Sequence, residues 1–169
     1  MAKRITTVGA FAALALIFSY VEAMIPFNFG IPGVKLGLAN LVVVTGLYFL
    51  NWKEVCVISM IRILIAGLLF GNGVSLIYSL SGGILSFIMM LIAKKTNMFS
   101  VSGVSVLGAV AHNIGQILAA CFVMKSTVLI YSYLPILMIA GVITGFLLGI
   151  VSSILLRRLQ VQLKTKFSV

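Results

Sequence analysis

A chain of 169 residues that contains no aspartate, only two glutamates (Glu22 and Glu54) and six long apolar runs has very few folds open to it. Charged residues make up 8% of the chain and hydrophobic ones 62%. With a mean hydropathy of +1.27, too little polar surface remains to coat a globule in water. The expectation is an all-α membrane protein of one domain spanning 1–169, a compact bundle of six transmembrane helices. The runs lie at about 5–25, 34–51, 54–70, 74–93, 101–124 and 134–156, each near the ~20 residues that cross a hydrocarbon core. Helices are required because stretches such as Ile84 to Ile92 show no polar alternation, and an open sheet edge cannot face lipid. Pro26, Gly30, Pro32 and Gly33, then Asn51 to Glu54, Gly71 to Gly73 and Lys94 to Asn97 punctuate the runs. The boundary between Lys125 and Pro135 is the least marked. The first run ends in Val21-Glu22-Ala23, which superficially resembles a signal cleavage site, but it continues to Ile25 and five more spans follow, so it reads as a retained helix.

The net charge of +10 does not indicate nucleic acid, because the basic residues sit at the ends of apolar runs and form no patch interleaved with aromatics. If the N-terminus is cytoplasmic, Lys3, Arg4, Lys53, Lys94, Lys95, Arg157, Arg158, Lys164 and Lys166 lie inside and Lys35 and Lys125 outside. That asymmetry predicts both termini in the cytoplasm. The basic tail after Leu156 reads as a topology anchor or a site for anionic lipid or a cytosolic subunit. Cys56 and Cys121 fall at opposite faces and are not expected to pair, and one histidine with two distant cysteines is no metal site. No cofactor is implied.

The polar residues that the bilayer has to tolerate carry the functional expectations. Arg62 lies near the middle of the third run, where a lone cation is costly and needs a partner. Glu54 is about 12 Å away along the same helix, whereas Glu22 is about 7 Å higher on the first, within reach of a snorkelling guanidinium. Two readings stay open: a Glu22–Arg62 pair that locks two helices, or Arg62 facing a cavity to meet an anionic ligand while Glu22 orients it. His112, Asn113 and Gln116 share one arc of the fifth run, pointing to ligand recognition or to an interhelical hydrogen-bond cluster. Ser75, Ser79, Gly82, Gly83 and Ser86 form a small-residue stripe suited to close packing, with Tyr78 beside it as a stacking surface. Gly9 and Ala13 form a second small pair that either packs inward or docks a partner. The apolar loop 26–35 reads as a lid or as an interfacial loop.

Four segments carry a family resemblance: Pro32 to Asn40, Arg62-Ile63-Leu64 with Phe70-Gly71-Asn72, Tyr78 to Gly83, and His112 to Gln116. They resemble the bacterial family of Gx transporters, also called heptaprenyl diphosphate synthase component I, over nearly the whole chain. That family is similar to the substrate-binding S components of energy-coupling factor transporters. The resemblance implies a multi-pass bacterial inner-membrane protein that captures a small vitamin-like, isoprenoid- or quinone-related ligand from outside. It further implies a ligand site formed by Glu22, Lys35, Asn40, Arg62, Tyr78, His112, Asn113 and Gln116, and a docking face at Gly9 and Ala13 for a transmembrane coupling subunit with an ATPase pair. S components usually dock through two alanines four apart, and Gly9 departs from that pattern. The second family label implies instead an accessory subunit for a soluble prenyl synthase. Prenyl elongation needs magnesium held by aspartate-rich motifs, so a chain without aspartate is not the catalytic subunit. No Walker A sequence is present, and no nucleophile–base–acid set points to an enzyme.

Overall fold

The computed structural model describes residues 2–24 and 37–166, and all the elements in them are helices. In chain order they are α1 (Ala2–Met24), α2 (Leu38–Phe49), α3 (Trp52–Phe70), α4 (Gly73–Lys95), α5 (Val101–Met124), α6 (Val128–Ser132) and α7 (Leu134–Lys166). The loop 26–35, with the expected lid and Lys35, lies outside the described residues.

Short polar caps set the boundaries. Asn72 Oδ1 accepts from Ser75 N–H at 2.8 Å while Ser75 Oγ accepts from Asn72 N–H at 2.9 Å, a reciprocal box that starts α4. Glu54 Oε2 accepts from Asn51 N–H at 2.9 Å to start α3, and Ser100 Oγ accepts from Gly103 N–H at 3.2 Å to start α5. Left-handed Asn97 (φ 54°) follows α4, and left-handed Lys125 (φ 50°) ends α5.

Three expectations about the runs need correction. The second run was expected from residue 34, but its helix begins at Leu38 because Gly37 takes φ +72°, a conformation that ends helical continuity and suits a residue without Cβ. The resulting 12 residues extend only about 18 Å. The last helix continues past 156 to Lys166, since Arg, Leu, Gln and Lys all favour helix. The five-residue α6 occupies the poorly marked boundary, so the described residues form seven helices rather than six. Four of them, α1, α4, α5 and α7, are long and apolar enough to cross a membrane. The chain fits a multi-pass membrane protein, with large side chains such as Leu68, Phe122 and Ile139 exposed on its outer surface.

Two ends of the bundle differ sharply. At one end Arg4 Nε donates to Glu54 Oε1 at 2.6 Å, joining the starts of α1 and α3, and Lys94 Nζ donates to the Leu47 carbonyl while lying 5.2 Å over the Tyr48 ring. This basic end is filled by Val43, Val44, Leu47, Val55, Phe87, Met90, Ala93 and Val104. Ala15, Val42 and Ile58 extend the packing upward. Cys56 and Cys121 are both free thiols, as expected.

The tightest packing surrounds α5. A Cβ added to Gly115 would stand 2.7 Å from the Ser81 carbonyl oxygen on α4, and one at Gly145 would stand 2.8 Å from Val106 Cα. Gly141, Gly145 and Gly149 are buried on one stripe of α7 and run antiparallel along Asn113, Ala109, Val106 and Ser102. Helix backbones thus meet directly on both sides of α5, the contact that small residues permit in lipid. Gly9 and Ala13, by contrast, are exposed, and nothing lies within 4 Å of a Cβ at Gly9. Of the two readings of that pair, inward packing is excluded. Gly145→Leu is expected to destabilise the bundle by ~1–3 kcal/mol or to break its monodispersity, while Gly9→Leu leaves both unchanged. Thermal unfolding and gel filtration in mild detergent measure the contrast.

Candidate functional site

Away from the packed basic end, the helices diverge around a cavity of about 630 Å³. Every long helix contributes to its wall. Ser19 and Glu22 come from α1, Asn40 from α2, Arg62, Ile63 and Ala66 from α3, Ser75 and Ser79 from α4, His112, Asn113 and Gln116 from α5, and Leu137, Ala140, Gly141, Thr144 and Leu148 from α7. The reason lies in the glycine contacts. Gly115 seats α5 on α4 and the Gly141 stripe seats α7 on α5, so the arc of α5 between those contacts faces the gap, carrying Ala109, His112 and Gln116.

Six of the eight expected ligand residues therefore line one cavity: Glu22, Asn40, Arg62, His112, Asn113 and Gln116. Tyr78 does not. One position before Ser79, it is turned about 100° from that wall, and its hydroxyl is buried without a hydrogen-bond partner. Lys35 lies outside the described residues.

Glu22 and Arg62 are not within ion-pair distance. Glu22 Oε1 instead accepts from the N–H of Gly37 at 2.5 Å, placing a carboxylate at the start of α2, where the helix dipole favours negative charge. The same turn is closed by the Asn40 N–H, which donates to the Gly37 carbonyl at 2.8 Å. Arg62 is left with a buried Nε that has no hydrogen-bond partner. An unsatisfied donor on a cation is costly in a low-dielectric interior, so a group that reaches Arg62 gains a strong, charge-assisted bond. Asn113 combines both expectations for its face. It lines the cavity, yet its Nδ2 donates to the Leu137 carbonyl at 2.6 Å and ties α5 to α7.

The stripe that shapes the site, Gly141, Gly145 and Gly149, is not among the sequence-derived expectations, although its four-residue spacing is visible in the sequence. Gly37 as the residue that positions Glu22 is also new. It sits within the Pro32 to Asn40 motif, but a single glycine there does not reveal its left-handed backbone or its carboxylate partner.

Because Glu22 and Arg62 make no ion pair, yet Glu22 acts on the Arg62 charge through space, the stability losses of Glu22→Gln and Arg62→Gln are expected to couple by no more than ~1 kcal/mol in a double-mutant cycle. Reversible unfolding in mixed micelles measures the four species. A coupling of ~3 kcal/mol would instead indicate a locked ion pair.

No match to the chain was found among curated proteins or among solved structures. One family model matches residues 11–155, which takes in Glu22, Asn40, Arg62, His112, Asn113 and Gln116. The chain belongs to the family described as heptaprenyl diphosphate synthase component I.

Proposed function

We propose that this protein is a membrane-embedded substrate-binding subunit of an uptake system, of the energy-coupling factor type, and not itself an enzyme. The observation that carries this reading is the cavity walled by all six long helices, with an unpartnered guanidinium donor beside an imidazole and two amides. Such a concave, mixed apolar and polar site suits a small vitamin-like, isoprenoid- or quinone-related molecule. In this reading α1 to α5 and α7 make six crossings. Both termini are cytoplasmic, and the cavity opens on the outer side. The nine-to-two distribution of basic residues supports that orientation, since the cavity lies at the end opposite Arg4, Lys94 and Lys95. The exposed Gly9–Ala13 face of α1 supports docking to a coupling subunit, because a surface free of bulky side chains admits close helix approach.

The family's description favours a second reading, a non-catalytic membrane subunit that works with a soluble prenyl synthase. Partner capture separates the two. The tagged chain, isolated from its own membranes in mild detergent, is expected to retain a transmembrane coupling protein with two ATPases, and to lose them when Gly9 and Ala13 are both leucine. Retention of a soluble prenyl synthase alone would establish the second reading.

Orientation is tested independently. In a chain with both native cysteines replaced by alanine, a membrane-impermeant thiol reagent on intact cells is expected to label a cysteine at position 72 and to miss one at position 97. The reverse pattern would place the cavity on the cytoplasmic side.

A further inference from the structure

We infer that the cavity accepts a ligand head bearing one negative charge, a carboxylate seated on Arg62, and rejects phosphate and diphosphate heads. This rests on the reading of the cavity as a ligand site and narrows it to a chemical class.

Arg62 and Glu22 are the two carboxylate or guanidinium groups among the described lining residues. They make no ion pair with each other, although Glu22 lies near enough to act on the Arg62 charge through space. Glu22 is satisfied by the Gly37 N–H at the start of α2, where the helix dipole offsets its charge, and Arg62 keeps a buried Nε donor with no partner. The cavity therefore offers compensation for one negative charge. A carboxylate fits that offer in geometry as well, because its two oxygens match the planar fork of a guanidinium.

A phosphate monoester carries about −1.5 to −2 at neutral pH, and a diphosphate carries more. Such heads are held by several cations or by a metal ion on clustered carboxylates. Among the described residues no group of three His, Cys, Asp or Glu side chains is placed to hold a metal. A second negative charge in the cavity would face the Glu22 carboxylate with no second Lys or Arg among the described lining residues to balance it, a heavy penalty in a low-dielectric site. His112 and Gln116 add hydrogen bonds, and Ile63, Ala66, Leu137 and Ala140 supply an apolar wall for the rest of the molecule. The family's description names a diphosphate product, so this inference separates what the cavity holds from what that description names.

The test reads Arg62 directly. The full chain holds four arginines, Arg4, Arg62, Arg157 and Arg158, and in lipid nanodiscs with 15N-arginine their Nε–H signals are resolved by NMR, with Arg62→Lys assigning the third run's. Three probes share one ring: benzoate, phenyl phosphate and neutral benzamide, added at constant ionic strength, with the His112 ring followed in parallel. Benzoate is expected to shift the Arg62 Nε–H saturably, with an apparent affinity at least about tenfold above that of the other two, while the remaining arginines stay unmoved. Equal or tighter binding of phenyl phosphate overturns the single-charge inference. If benzamide shifts His112 and benzoate leaves Arg62 unmoved, the cavity still binds small molecules and the carboxylate inference alone falls. If no probe moves either residue, the cavity is not a ligand site and the proposed function falls with it.

Discussion

The backbone-on-backbone seating of α5 between α4 and α7 governs the rest of the architecture. In lipid, the tails solvate an apolar side chain as well as a neighbouring helix does, so association depends on packing and hydrogen bonds. Gly115 against Ser81 and the Gly141, Gly145 and Gly149 stripe against Ala109, Val106 and Ser102 supply that packing by removing side chains where the backbones meet. The half-buried Asn113 to Leu137 hydrogen bond reinforces it. With three helices fixed in this way, the remaining surfaces follow. One end closes around Val44, Leu47 and Met90, and the other leaves a gap that α1, α2 and α3 wall in.

That division assigns opposite roles to the few charged groups. At the closed end Glu54 pairs with Arg4 and Lys94 covers the end of α2, so charge is used to fasten helix termini. At the open end Glu22 performs a similar task at the start of α2, through Gly37. Arg62 is the exception. Its buried Nε has no partner, within a cavity that also presents His112 and Gln116. A protein that keeps a cation in an apolar bundle with its nearest carboxylate held at a distance, outside an ion pair, bears a standing electrostatic cost, and a bound anion is a chemical group that relieves it.

Much of this was legible in the sequence, for definite reasons. Apolar runs long enough to cross a bilayer leave helices as the economical fold, which located α3, α4 and α5 to within two residues at either end and α1 to within three. The helical repeat alone puts His112, Asn113 and Gln116 on one arc, and that arc meets the cavity. What periodicity does not encode is which groups meet across helices. Glu22 finds Gly37 rather than Arg62 because a left-handed turn brings a backbone N–H closer than any guanidinium, and no spacing rule reports that. Tyr78 stands outside the cavity lining for the opposite reason: it adjoins the lining residue Ser79 in sequence, and one position of offset turns it away. The α7 glycines were readable and decisive, since four-residue spacing is itself the signature of a packed face.

The central claim is that the cavity around Arg62 holds a small molecule, and native mass spectrometry of the protein gently extracted from its own membranes tests it most directly. The wild-type chain is expected to show, beside its bare mass, a species heavier by one small non-lipid molecule that leaves on collisional activation. An Arg62→Ala variant of equal monodispersity is expected to lack it. A wild-type spectrum with the bare mass alone, or the same adduct at equal occupancy in the variant, would contradict the account.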